Sequence, residues 1–439
     1  MWGLTRRNSS SAVGWSGWSH RVSYKARRWV VHRRLCRAKR SRVVISILSG
    51  RQGSCASEST GDYSPPGGPR PLFRRLGHLP SFSFHSGASI PVKIIHGAEK
   101  APLAPLRGRR VAVLGFGNQG HAHALNLRES GVDVVVAARR GSTGGSRATA
   151  AGFEPLEIPQ AVAEADLVIL ALPDEVQPGV YSTSIAPALK AGATVGFLHG
   201  FNIRYRLIEP ARGVGVIMVA PKGPGHTLRS LFRAGRGLPC LFAVDQDSPA
   251  GDAEALGLAW ANGIGAARAA IVYTSFADET ETDLFGEQAV LCGGLGALIY
   301  AAFETLVEAG YPPELAYLEC CHEVKQIADL VYERGFAATF EAISSTAEFG
   351  AYRAGPRLID ESVRQRMREL LREVRDGTFA EAMMRDHEKG FGWFKSKREA
   401  ARAHDLEPAG RVVRSFMPWL GIDADDPPGR KNKATEGRE

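Results

Sequence analysis

Cysteine is scarce in this chain: six residues in 439, at Cys36, Cys55, Cys240, Cys292, Cys320 and Cys321. No CxxC pair and no framework spacing occurs. That excludes a disulfide-stapled scaffold and a thiolate zinc site, and points to reduced thiols in a reducing compartment. Long apolar runs are missing as well. None reaches the roughly 18–20 uninterrupted residues of a spanning helix, so no membrane partner is expected. Acidic residues are nearly absent from the first hundred positions, which hold 18 Lys+Arg against 3 Asp+Glu. The rest of the chain reverses the balance, 37 against 43. The net charge of +9 therefore belongs to the leader, and the mildly acidic body gives no reason to expect a nucleic-acid partner.

What is present falls into four stretches. Residues 1–90 are rich in Arg, Ser and Gly and carry no long periodic segment, although a basic helix can be drawn from Ser19 onward. Such a leader fits a targeting peptide, a disordered tail or an upstream extension. The expected compartment is the cytoplasm, or the mitochondrial or plastid matrix if the leader is a transit peptide. Residues 91–276 alternate short apolar runs with helical spacing: "VAVLGFG", "VDVVVAA", "ADLVILAL", "ATVGFLHG", "VGVIMVAP" and "LPCLFAV". Strands alternating with helices predict a doubly wound, parallel α/β sheet of the Rossmann type. Residues 277–421 read as helices only, with Gly310 and Gly335 as C-caps and Pro312–Pro313 as a helix start. Residues 422–439 are polar and expected to be disordered.

"GFGNQG" places Gly115, Gly117 and Gly120 in GxGxxG spacing, after a strand and at the start of a helix. The first glycine permits the tight turn, the second lets a phosphate approach the backbone, and the third lets helix and strand pack. A further absence is informative here. An NAD enzyme ends its second strand near Asp or Glu, for the ribose hydroxyls. This chain has Arg139, Arg140 and Ser142, a set suited to a 2′-phosphate, so NADPH is expected. "LPDEVQ", Leu172 to Gln177, follows the C-terminal end of another strand.

The helical stretch carries two carboxylate pairs at i,i+4 spacing, Asp283/Glu287 and Glu319/Glu323. Each pair shares a helix face, where like charges repel. Oxygen-only donor sets of this kind suit hard divalent cations. Glu279 lies four residues before Asp283 and can share its face, while Asp278 and Glu281 are expected to face solvent. His322 is read as structural, and Cys320 and Cys321 as small packing residues.

Together the blocks "GFGNQGHAHALNLRESG", "LPDE", "HGFNI", "VIMVAPKGPGH", "DETETDLFGEQAVLCGGL", "FETLVEAGYPPELAYLECCHE" and "GPRLID" resemble the short, bacterial-type ketol-acid reductoisomerases, from about Arg109 to Trp419. The resemblance implies a Mg²⁺-dependent alkyl shift in a 2-aceto-2-hydroxy acid. NADPH then reduces the product to a 2,3-dihydroxy acid, in valine, isoleucine and leucine synthesis. It assigns two Mg²⁺ to Asp283, Glu287, Glu319 and Glu323, catalytic roles to His199 and Lys222, and substrate binding to Ser344. Its cofactor contacts fall on Phe116, Gly117, Asn118, Gln119, Arg139, Ser142, Asp174, Glu175, Val176, Gln177 and Gly225. Gly144 stands where a second phosphate-binding serine is common, and Ala342 where a serine is frequent. A homo-oligomer, a dimer or an assembly of dimers, is implied. The rival reading is an NADP-dependent β-hydroxy-acid dehydrogenase, which would need no metal and would leave the carboxylate pairs unexplained. An NADP-sensing protein without catalysis would be expected to lack a ligand or the histidine.

Overall fold

The computed structural model describes residues 92–420, all within the compact unit spanning 76–439. The basic leader, Cys36, Cys55 and the tail from 422 lie outside the described residues. The first part of the described chain is one eight-stranded sheet. Its elements are β1 (Ile94–Ile95), β2 (Arg110–Leu114), α1 (Asn118–Glu129), β3 (Asp133–Ala137), α2 (Thr143–Ala150), α3 (Ile158–Glu164), β4 (Leu167–Leu170), α4 (Gln177–Val180), β5 (Thr194–Phe197), α5 (Phe201–Arg204), β6 (Gly215–Pro221), α6 (Gly225–Arg233), β7 (Cys240–Gln246), α7 (Ala253–Gly263) and β8 (Ile271–Tyr273).

The strand order is β1-β8-β7-β6-β5-β4-β2-β3. Strands β2 to β6 run parallel, as expected. One expectation, a sheet parallel throughout, needs correcting. β7 pairs antiparallel with β6, and β1 antiparallel with β8, so the sheet is mixed. β1 and β8 themselves, two and three residues long, are too short to show a period. Along β2 the pleat sends Val111 and Val113 into one core and Ala112 and Leu114 into the other. Both faces are buried, which is why the strands read as continuous apolar runs. From β2 the chain winds outward to β3, then returns to β4 on the other side of β2. That reversal opens a crevice beyond the C-terminal ends of β2 and β4, where ligands bind in such sheets.

From Phe276 the chain is helical: α8 (Phe276–Gly286), α9 (Gly293–Glu308), α10 (Pro313–Tyr317), α11 (Val324–Ala342), α12 (Ser345–Leu358), α13 (Glu361–Arg375), α14 (Thr378–Glu388), α15 (Gly392–Ala403) and α16 (Leu406–Ser415). Gly310 follows α9 at φ 89° as a helix stop. Gly335, by contrast, sits inside α11 at φ 76° and breaks it there. The continuous helical stretch Phe276–Glu308 is long and apolar enough to cross a membrane by length and composition. It was not expected from run length because its uninterrupted apolar run, Ala289 to Phe303, is shorter than a spanning segment and ends at Glu304. Two small clusters hold the helices. Phe201, Tyr205, Leu284, Val374, Ala380 and Met384 join α5 and α8 to α13 and α14. Phe303, Ala316, Tyr317, Leu406, Ala409 and Val413 join α9 and α10 to α16.

Candidate active site

The glycine turn has the shape its spacing predicts. Gly115 adopts φ 100°, and its N–H donates to Ala137 O at 2.8 Å. A Cβ there would meet Ala171 O at 2.5 Å, and one on Gly120 would overlap Gly115 O. A Cβ on Gly117, the exposed middle glycine, would meet nothing within 4 Å, so that side of the turn is open. Phe116 is buried between His121 and Phe153. Asn118 is exposed and Gln119 half-buried at the start of α1.

At the end of β3, Arg139 and Arg140 are exposed. Ser142 is the N-cap of α2: its Oγ accepts from Gly145 N at 3.1 Å and donates to Arg139 O at 2.6 Å. A capping bond of this type stabilises by about 1 kcal/mol, so Ser142 has a structural task in addition to any phosphate contact. Gly144 faces the glycine turn, where an added Cβ would lie 3.8 Å from Phe116 O. After β4, Glu175 and Val176 are half-buried. Gln177 is buried with its amide committed inward: Nε2 donates to Leu172 O at 2.8 Å and Asp174 Oδ1 at 3.2 Å, and Oε1 accepts from Asn202 Nδ2 at 3.1 Å.

The strands' C-terminal ends deliver the chemistry. His199 follows β5, Lys222 follows β6, and α8 crosses above them with Glu279 and Asp283 one turn apart. Among the described residues, His199, Glu279 and Asp283 form the group that could hold a metal ion. Glu279 is the hub, 1 % exposed. Its carboxylate meets His199 Nδ1 at 3.0 Å and Lys222 Nζ at 2.8 Å, and accepts from Gly200 N at 2.9 Å. Lys222 Nζ also donates to Asp283 Oδ1 at 2.8 Å, and His199 Nδ1 lies 3.5 Å from Asp283 Oδ2.

Burial and opposed charges compete in the titration of this cluster. Burial works to raise Glu279, but the hydrogen bond from His199 and the charges of His199 and Lys222 outweigh it and hold the carboxyl at about 2. Burial works to lower His199, yet Glu279, Asp174 and Asp283 bring it up to about 9. Burial works to lower Lys222 too, but Glu279 and Asp283 raise it. Asp174 is pushed up to about 6 by burial, with Glu175, Glu279 and Glu287 adding repulsion and His199 opposing. Glu287 is raised by burial and then by Asp283. His199 is thus an imidazolium at neutral pH. Its Nε2 is buried with no partner among the described residues.

The structure places the other expected residues apart from this group. Glu319 and Glu323 are exposed and outside the metal-competent cluster. Ser344 is exposed and caps α12, accepting from Ala347 N at 3.2 Å. Gly225 lies under the first turn of α1. Two features escaped the sequence reading. Glu287–Leu291 and Leu318–His322 are π-helical turns, closed by Cys292 N to Glu287 O at 2.9 Å and Glu323 N to Leu318 O at 3.1 Å. Such turns concentrate at functional sites, and neither pattern nor composition marks them. Glu281 is also not solvent-facing. Arg204 holds it at 2.8 Å and Arg375 at 3.3 Å, while Arg204 and Tyr205 donate to the last carbonyls of α13. A carboxylate between two arginines locks α8 against α13, directly below Glu279 and Asp283.

Comparison with known proteins agrees with this layout. Residues 105–270 match the family model described as acetohydroxy acid isomeroreductase, NADPH-binding domain. Residues 276–419 match ketol-acid reductoisomerase, C-terminal domain. Among solved structures, an NADH-preferring ketol-acid reductoisomerase from an uncultured archean is 42 % identical, with a TM-score of 0.72, covering 74 % of this chain and 99 % of its own. A semialdehyde dehydrogenase NAD-binding protein from Cupriavidus necator is 20 % identical, with a TM-score of 0.48, covering 61 % of this chain and 98 % of its own.

Proposed function

The chain belongs to the ketol-acid reductoisomerase family, oxidoreductases of branched-chain amino acid biosynthesis that act on small molecules, and on that premise we propose how its residues divide the work. The reaction is an alkyl shift in 2-acetolactate or 2-aceto-2-hydroxybutyrate followed by reduction to the 2,3-dihydroxy acid. The cofactors are NADPH and two Mg²⁺. The observation that carries this reading is the packing of His199, Lys222, Glu279 and Asp283 into one charge-balanced group beside the glycine turn.

The residues fit both cofactors. Asp283 and Glu287 offer hard oxygens, and Asp283 already faces a positive charge, the Lys222 ammonium. Bound Mg²⁺ would supply Lewis acidity to the substrate's hydroxyl and carbonyl oxygens, and NADPH the hydride. The chain's own groups orient and hold protons. Glu279, fixed by Gly200 N and Lys222, keeps His199 protonated and leaves its unpartnered Nε2–H as a donor for a substrate oxygen. Lys222 adds a fixed positive charge for an anionic oxygen. Arg139 and Ser142 would contact the 2′-phosphate. The solved relative named above prefers NADH, so this preference rests on those two side chains.

Glu319, Glu323 and Ser344 enter the site from a second copy in this reading. Its support is the surface of α9 to α12, where Leu295, Leu298, Ile327, Phe336, Phe349, Tyr352 and Leu358 are exposed. So much apolar side chain in one region marks an interaction surface, and a homodimer would cover it. The free thiols of Cys240, Cys292, Cys320 and Cys321 suit a reducing compartment, the cytoplasm. The test is NADPH consumption with 2-acetolactate, with and without Mg²⁺. Turnover should require the ion, and equal rates in excess EDTA would refute the metal assignment. Replacing Arg139 and Ser142 by Asp should lower kcat/KM for NADPH relative to NADH by about tenfold or more; an unchanged ratio removes their role.

A further inference from the structure

One side chain ties the dinucleotide turn to the carboxylate group. Gln119, the second residue of α1, donates Nε2 to Gly223 O at 2.9 Å. Gly223 directly follows Lys222, whose ammonium lies 2.8 Å from both Glu279 and Asp283. The same short turn is pressed onto α1 from its other end. Gly225 sits so near that a Cβ would overlap Asn118 O. The backbone of Lys222 is anchored once more, its N–H donating to Pro239 O at 2.9 Å. The lysine is therefore carried on a turn whose free carbonyl is held by Gln119.

The other end of the same amide is unsatisfied. Gln119 Oε1 is buried and has no partner among the described residues. A buried acceptor without a donor is unfavourable, and this one stands at the foot of the open glycine turn. An amide is planar, so a donor arriving at Oε1 fixes the plane that also contains Nε2. That plane decides whether the bond to Gly223 O stays aligned.

We propose that Gln119 is a positioning residue for Lys222: an N–H or O–H donor of the bound dinucleotide satisfies Oε1, and the amide then holds the Lys222–Gly225 turn in place. This rests on the reading that the glycine turn takes NADPH. Cofactor occupancy is thereby passed to the ammonium beside Glu279 and Asp283 through one hydrogen bond, with no movement of the sheet.

The experiment uses the full chain with Gln119→Met, Gln119→Asn (which keeps the amide but falls short of Gly223 O), Lys222→Arg, and Gln119→Met with Lys222→Arg. NADPH affinity is read by fluorescence, and kcat at saturating NADPH, Mg²⁺ and 2-acetolactate. Both Gln119 variants should lose about tenfold or more in kcat while still saturating with NADPH. The double variant should be no slower than Lys222→Arg beyond about twofold, because residues acting through one another are non-additive. A Gln119→Met enzyme with wild-type kcat and only a raised NADPH KM is a cofactor contact and overturns the proposal. Multiplying effects in the double variant overturn it too. Failure of the underlying reading looks different: Gly117→Val would then leave NADPH affinity unchanged.

Discussion

The sheet and the helices solve the burial problem differently. The central strands β4, β5 and β6 are buried at every position, and both faces of the sheet are covered by the chain's own helices. The most apolar window of the Phe276–Glu308 stretch has a mean hydropathy of 1.8, yet only 6 % of it is buried. The first region is complete as a protomer. The second has the composition of a core without the burial, and the carboxylate pair Glu319/Glu323 lies in it, apart from the pair it is expected to join. On the reading proposed above, the candidate site is half built by the fold and half left to association.

The largest effect that can break this comparison is complementation. Asp283→Asn and Glu319→Gln should each abolish turnover, by about a thousandfold or more. If the two pairs meet across a subunit boundary, mixing the dead variants under exchange conditions restores about a quarter of wild-type activity. Half the dimers are then hybrids with one intact site. No recovery would mean that both pairs serve one chain. Next in size is Leu298→Glu on α9. Leu298 is 51 % exposed, so the protomer tolerates the charge, but a covered surface would not. Size-exclusion chromatography should show a smaller species with activity falling on dilution; an unchanged oligomer with full activity would detach α9 from any interface.

How much of this was legible follows the same divide. The glycine turn and six strands showed in the sequence because local backbone demands and a two-sided core leave a local pattern. Strand direction did not: β7 reads like its parallel neighbours, since antiparallel pairing leaves no mark on an apolar run buried on both faces. His199 and Lys222 are loop residues whose roles came only from the family resemblance. Glu279 was seen as a possible neighbour of Asp283, but its place at the hub depends on burial contributed by β5 and β6, far away in the chain. The same holds for Glu281, assigned to solvent because Arg204 and Arg375 are distant in sequence. Spacing of i,i+4 puts two side chains on one face only in a regular helix, and at Glu287–Leu291 and Leu318–His322 the backbone is π-helical instead.

A smaller effect tests the self-sufficiency of the sheet region through pH. Asp174 titrates at about 6 against an ordinary 3.8, chiefly through burial. Its folded-state pKa is raised, so its favourable contribution is complete below about 4 and is lost as pH rises through 6. Asp174→Asn keeps the acceptor for Gln177 and removes the charge. Its melting temperature should exceed wild type at pH 8, by the equivalent of about 3 kcal/mol, and the gap should close near pH 4. A constant gap would assign the effect to packing.

The smallest expected effect is the sharpest on where stability resides. Arg206 is exposed and adopts φ 53°, a left-handed conformation that costs a side-chain-bearing residue roughly 1–2 kcal/mol. Glycine relieves that strain but returns part of the gain as unfolded-state entropy. Arg206→Gly should therefore stabilise by about 0.5–1 kcal/mol, read by denaturant melts. Because the turn belongs to the self-contained region, the increment should be the same at low and high protein concentration. Effects in the helical region should instead scale with concentration, as they must when folding is linked to association. A concentration-dependent gain at Arg206 would mean that the sheet region, too, is finished only by a partner.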